Sequence, residues 1–221
     1  MKRSTRYLAQ RLAGACLAAS LPLAAAAGQF KGEVWADNWF ALHVGERFVG
    51  EDSVPITTER SFNAETLRFE AEYPFVLNFT IKDFKQNDTG LEYIGSPRQQ
   101  IGDGGFIMQI TDTATQKVVA VSSSATKCLV IHKAPLNPNC VSSSQPTVAS
   151  CGATIIEEPA SWKAADFDTR AWQDATVYRA ADIGVKDGYH DITRDPAARL
   201  IWTTNLKADN TLLCKLTVTA P

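Results

Sequence analysis

With 221 residues, 45% of them hydrophobic and 21% charged, the chain has the make-up of a globular protein rather than of a disordered or collagen-like one. The formal net charge of −2 comes from 22 basic and 24 acidic side chains. Without the basic N-terminal segment described next, the balance becomes clearly acidic, which argues against nucleic acid or an anionic membrane surface as the main partner.

The N-terminal segment opens with Lys2, Arg3, Arg6 and Arg11 and no acid, followed by a small-residue apolar run from Leu12 to Ala27. A charged, then apolar, then small-residue order, closing on Ala25-Ala26-Ala27, is that of a cleavable secretory signal. The run is shorter than the roughly 20 residues a membrane span needs. Cys16 raises lipid attachment as an alternative. Ala13 stands three residues before it, however, where a leucine is expected, so cleavage near Ala27 is the expectation. The division is then a signal segment, 1–27, and one domain, 28–221, secreted or periplasmic. Removing the signal takes four of the 22 basic residues and none of the 24 acids, leaving a mature excess of six acids. No later apolar stretch is long enough to span a membrane.

Beyond the signal, short segments of alternating polarity are broken by turn residues, the pattern of an all-β domain. Residues 39–44 put Phe40, Leu42 and Val44 on one face and Trp39, Ala41 and His43 on the other. Gly45-Glu46 suits a tight hairpin turn, with Phe48 and Val49 on the return strand. Phe75, Leu77, Phe79 and Ile81 alternate with Val76, Asn78, Thr80 and Lys82. The same period recurs at 106–111, 117–121, 128–132 and 212–218, and only 170–175 and 178–184 read as short helical turns.

Two connections are long. Residues 83–104 join good strands through mixed polar and aromatic sequence, and residues 133–160 are rich in Pro, Ser and Asn. Loops of this length are uncommon unless functional or disordered. The second holds two cysteines, and a disulfide would staple it; the first has no such explanation and is the leading candidate for a working surface. Gly102-Asp103-Gly104-Gly105 is read as a turn or bulge, since no Lys-Ser/Thr follows it as a phosphate loop requires.

Apart from Cys16 the cysteines are Cys128, Cys140, Cys151 and Cys214. An even count in an exported chain reads as two disulfides, with three connectivities open. The expected pairs are Cys140–Cys151 across the second long loop and Cys128–Cys214 between a middle and a late strand. Metal binding by the cysteines is the weaker alternative, for lack of any C-x-x-C pair and with only His132 near in sequence.

The candidate chemistry is concentrated in two places. Trp35, Asp37, Asn38 and Trp39 combine aromatic faces with polar groups that could grip a sugar, or else are two core tryptophans flanking a turn. In the first long loop, Asp88, Glu92 and Tyr93 add further polar and aromatic contacts, while Asp83, Asp88 and Asp103 offer oxygen ligands for calcium. Glycoside hydrolysis would need paired carboxylates, for which Asp88 with Glu92 or Glu157 with Glu158 are available. No G-x-S-x-G is present, and His43, His132 and His190 have no nucleophile beside them in sequence.

Four segments, VWADNWFALHVGERFVGEDS, FTIKDFKQNDTGLEYIG with GDGGFIMQI, FDTRAWQDA and RLIWTTNLKADNTLLCKLTV, resemble in order the galactose-binding-like jelly-roll domains, across residues 34–218. The resemblance implies an antiparallel jelly-roll β-sandwich, a carbohydrate- or other ligand-binding role, and in many such domains a structural calcium. The expectation is therefore a non-catalytic binder of carbohydrate or a related polar ligand, contacted by Trp35, Asp37, Asn38, Trp39, Asp88, Glu92 and Tyr93. A small extracellular glycan hydrolase and an adhesive domain with a protein partner are the alternatives.

Overall fold

A computed structural model describes residues 27–56 and 63–221; the proposed signal segment lies outside the described residues except for Ala27. In chain order the strands are β1 (Gly28–Asp37), β2 (Trp39–Val44), β3 (Arg47–Glu51), β4 (Ala64–Ala71), β5 (Phe75–Lys82), β6 (Leu91–Glu92), β7 (Gln100–Ile101) and β8 (Gly105–Asp112). They continue with β9 (Lys117–Val121), β10 (Lys127–Lys133), β11 (Thr154–Ile155), β12 (Gln173–Asp174), β13 (Thr176–Tyr178), β14 (Leu200–Trp202) and β15 (Asp209–Val218). Two one-turn helices, α1 (Val148–Cys151) and α2 (Ala180–Ile183), complete the set with two short 3-10 turns.

The described strands form two large antiparallel sheets and the two-stranded β6–β7 pair. The first runs β13-β14-β8-β1-β4, with β9 also on β8; the second runs β11-β10-β15-β5-β2-β3, with β12 on β10. Their inner faces meet in one core. Phe30, Val34, Phe69, Phe106, Met108 and Ile110 come from the first sheet, and Phe40, Leu42, Leu77, Phe79, Ile81, Leu212 and Cys214 from the second. The period-2 reading of 39–44 and 75–82 is thus the register of a sandwich wall, since side chains two apart share a face. The hairpin turn also stands as expected, with Gly45 at φ +55°. Each fully buried Phe or Leu here contributes about 1.5–3 kcal/mol by leaving water.

Both outer faces are partly roofed by connecting segments. Over the first sheet, Trp35 and Ile107 pack with Ile183 and Leu200 beneath α2 and the chain that follows it. Over the second, Trp162 and Trp172 pack on Leu213, with Leu129, Ile131 and Phe167 alongside. Polar pins hold this second roof. Lys215 Nζ donates to the carbonyls of Trp162 (3.0 Å) and Ala164 (2.6 Å), and Asn78 Nδ2 donates to Lys163 O at 2.9 Å.

Several expectations change. Residues 170–175 are only in part a turn: Trp172 N donates to Thr169 O at 2.9 Å, which sets Trp172 onto the second sheet, and Gln173–Asp174 then pairs as a strand with Lys127–Cys128. The 178–184 reading holds in α2. Residues 83–104 are a folded loop, built on the β6–β7 pair with Leu91 fully buried between them and the Cys140–Cys151 bridge. Gly102, Gly104 and Gly105 are not positive-φ turn residues. A Cβ on Gly104 would stand 2.1 Å from the Trp202 ring, and one on Gly105 would stand 2.7 Å from Ile183, so these glycines serve close approach.

The disulfides are Cys128–Cys214 and Cys140–Cys151. The first joins directly opposed residues of β10 and β15, and the second closes the Ser/Pro-rich loop. Two disulfides fit an oxidising, extracytoplasmic setting. Among the described residues, no helix is long and apolar enough to cross a membrane.

Candidate functional site

A groove of about 640 Å³ crosses the unroofed part of the second sheet's outer face. Its floor is made of outward-pointing strand residues: Thr80 and Lys82 of β5 and Thr211 of β15. The apolar walls are Ile131, Ile155, Ile156 and Phe84; Lys85, Gln86, His132 and Glu158 supply hydrogen-bonding groups. The shape follows from the fold. The 156–175 roof stops short of this end of the sheet, and the β10–β11 pair on one side and residues 83–86 on the other rise above the exposed strands. Ile155 and Ile156 are the most open apolar side chains of the rim, at 55% and 41% exposed.

Trp39 stands beside this floor, half-buried, with Lys82 Nζ 4.7 Å from its ring centroid. The other sequence-selected contacts are distributed elsewhere. Trp35 is fully buried, its Nε1 donating to Asp187 O at 3.0 Å and its ring meeting Tyr189 edge-on, so it offers no stacking face. Asp37 and Asn38 are also buried, at the corner where β1 of one sheet becomes β2 of the other. Asn38 Oδ1 accepts from Phe84 N at 2.5 Å and Asn38 N donates to Lys82 O at 2.9 Å, which ties the corner to the end of β5. Tyr93 is half-buried in the first long loop, with the Arg98 guanidinium 4.5 Å from its ring centroid.

Asp88 is exposed and reaches toward the groove wall. It accepts from Lys85 Nζ at 2.8 Å and lies 3.3 Å from His132 Nε2. Glu92 is buried on the far side of the same loop, where its Oε2 accepts from Gln100 Nε2 at 2.5 Å. Asp88 and Glu92 therefore belong to different environments and do not form a facing acid–base pair. Nor do Asp83, Asp88 and Asp103 converge as a calcium set, because Asp88 is engaged by Lys85 and His132 while Asp103 lies 3.5 Å from Lys186. Among the described residues, no group of three or more His, Cys, Asp or Glu side chains is arranged to hold a metal ion.

A second concentration of chemistry lies under the β1–β2 corner. Asp37, Asp83, Glu92 and Asp103 gather there with Lys186, whose Nζ is 3.3 Å from Asp37 Oδ2. Burial pushes the Asp37 carboxyl up to about 7 despite that lysine, with Asp103 and Glu92 adding to the rise. Burial also holds Asp83 well above the usual carboxylate range, reinforced by Asp37, Glu92 and Asp103.

His132 is pulled below its ordinary value, first by burial and then by Lys85, with Asp88 opposing. A histidine held neutral in the fold costs stability as pH falls below about 6.5, because the unfolded chain then takes up the proton more readily. Chemical-denaturation midpoints at pH 7 and pH 5 should therefore fall less in His132→Gln than in the parent chain. An equal fall in both would remove His132 as a source of acid sensitivity.

The groove residues Thr80, Lys82 and Thr211 were legible only as the outward half of strand alternation, and Lys186 carried no sequence signal. Comparisons of the chain with protein-family models, with curated proteins and with solved structures find no match.

Proposed function

We propose that this chain is an exported jelly-roll β-sandwich that binds carbohydrate, or a closely related polar ligand, without catalysis, in the groove across its second sheet. The observation that carries the reading is the groove's lining: polar strand residues as floor, apolar side walls, and hydrogen-bonding side chains at the edges. Such a mixture suits a ligand with apolar C–H faces and many hydroxyls, and a concave site with a few placed polar groups is the usual form of a ligand pocket. Trp39 beside Lys82 supplies the nearest aromatic face.

The jelly-roll reading draws on the resemblance to galactose-binding-like domains and on the alternation of the chain between sheets. β1 lies in the first sheet, β2 and β3 in the second, β4 in the first and β5 in the second again. Export draws on the N-terminal sequence and the two disulfides.

Binding without catalysis is favoured by where the carboxylates point. Asp83 borders the groove, but both of its carboxyl oxygens are shut off from solvent. The other acid of the lining is Glu158, which accepts from Trp162 Nε1 and from Lys163 Nζ. Glycoside hydrolysis uses two carboxyls flanking the bond, and this lining offers one with solvent access.

The test is a glycan array probed with the purified chain, followed by titration of the best ligand against Lys82→Ala and Thr211→Trp. Lys82→Ala removes a charged donor from the floor and should weaken binding about tenfold or more. Thr211→Trp fills the floor and should abolish it, while far-UV circular dichroism and a cooperative thermal transition show that the variant is still folded. A blank array, or full affinity in both variants, would refute a carbohydrate site in this groove.

A further inference from the structure

We propose that the ligand of the groove is anionic, a glycan carrying uronic acid units, with a carboxylate seated on Lys82. The inference rests on the groove being the carbohydrate site and adds which class of sugar enters it.

Strand register sets out the contacts. Trp39 of β2 and Thr211 of β15 both pair with Lys82 of β5, one on each side. Directly opposed residues of antiparallel strands share a face, so these three side chains form one row across the outer face of the sheet. Neighbouring strands lie about 4.8 Å apart, which makes the row about 10 Å long. It offers an aromatic ring, an ammonium and a hydroxyl, and Thr80 adds a second hydroxyl to the floor. Trp39 steadies the ammonium, which is 4.7 Å from its ring centroid, but a ring quadrupole does not neutralise a charge. Among the described residues, neither this ammonium nor the two hydroxyls make a hydrogen bond or an ion pair within the protein.

The acceptors of the lining are in the opposite condition. Asp83 keeps both carboxyl oxygens away from solvent. Glu158 is held by Trp162 Nε1 and by Lys163 Nζ, the latter at 3.2 Å, and Gln86 Oε1 accepts from Ile94 N at 2.8 Å. The second cation of the wall, Lys85, is already paired with Asp88 at 2.8 Å. His132, pulled below its ordinary value first by burial and then by Lys85, carries little charge at neutral pH. Lys82 is therefore the uncompensated charge of the lining. Neutral sugars are gripped largely through acceptors for their hydroxyl protons, and here those acceptors are engaged; a carboxylate supplies the partner that the ammonium lacks. A uronic acid keeps the apolar C–H face that the isoleucine walls suit and bears its carboxylate at the ring edge. Attraction by the whole molecule is not the cause, since the chain beyond the signal has more acids than bases.

The experiment titrates the whole purified chain, with chelator present, against short oligomers of galacturonic, glucuronic and mannuronic acid and against the methyl ester of each. Esterification removes the charge and little else. The best free acid should bind about tenfold more tightly than its ester, and raising sodium chloride from about 0.05 to about 0.5 M should narrow the gap. Lys82→Gln should bring acid and ester together, and Lys82→Arg should reopen the gap. Should Lys82→Gln lose its cooperative thermal transition, the ester comparison and the salt dependence of the parent chain decide. Equal binding of acid and ester would overturn the anionic preference while leaving the groove a carbohydrate site. If no glycan bound, acidic or neutral, the carbohydrate reading itself would fall and this inference with it. A preference for the acid that survived in Lys82→Gln would overturn the seat on Lys82. A poly-glutamate peptide bound as tightly as the oligouronates, and lost in Thr211→Trp, would overturn the glycan in favour of an acidic protein partner.

Discussion

Replacing Cys128 and Cys214 together by alanine should lower stability by about 4–5 kcal/mol, against about 3 kcal/mol for the Cys140/Cys151 pair. The two bridges differ in the chain they close, with sequence separations of 86 and 11 residues. A longer closed loop removes more freedom from the unfolded chain, although the dependence is only logarithmic. Location acts in the same direction. Cys128 and Cys214 lie in the sandwich core between β10 and β15, so their loss also leaves apolar contacts unmade. Cys140 and Cys151 pack with Leu91 in a smaller cluster beneath the first long loop. Urea unfolding of both double variants, under non-reducing conditions, ranks the two. If the Cys140/Cys151 variant lost as much stability, the loop cluster would be as central to folding as the sandwich, contrary to this ordering.

The second large effect is expected at Trp202. Its side chain is 1% exposed, packs in the main core and donates from Nε1 to Asp209 O at 3.0 Å. Trp202→Ala should cost about 3–5 kcal/mol through lost burial and the cavity left behind. Gly104 runs directly against this ring, and its N donates to Leu206 O at 3.0 Å, so the backbone cannot easily move away. Gly104→Ala drives a methyl into the indole and should cost about 1–3 kcal/mol. In the double variant the methyl enters the space that the indole vacated, and the combined loss should be smaller than the sum of the single losses, as contacting residues behave. Strict additivity in denaturation midpoints would show that Gly104 is needed for a reason other than its contact with Trp202.

The sandwich itself was legible because its walls obey a local rule. Alternation over 39–44 and 75–82 requires one apolar face, and the structure puts that face in the core. Strands β1 and β4 were harder to see: Gly28 and Gly32 interrupt the apolar positions of β1, and β4 is an edge strand with Thr66, Arg68 and Glu70 exposed. Trp172 shows the opposite limit. Its neighbourhood in sequence looks helical, but pairing of Gln173–Asp174 with β10 overrides local preference, as tertiary contacts do for short segments.

For function, the sequence by itself determined the charge balance, the even cysteine count, the alternating strands and the residue types on offer. Which of these residues share a place was decided by the tertiary structure alone. Trp35 and Trp39 are four residues apart, yet one is sealed under α2 while the other borders an open groove, because strand alternation and the β1–β2 corner send them to different sheets. Asp88 and Glu92 have the same spacing and end on opposite sides of one loop, the first at His132 and the second beneath Gly102. Thr80 and Thr211 lie 131 positions apart and meet on one groove floor because β5 and β15 pair in register. Local spacing fixes which face of a strand a side chain occupies. Strand pairing and the loops that roof the sheets fix whether that face meets core, solvent or ligand.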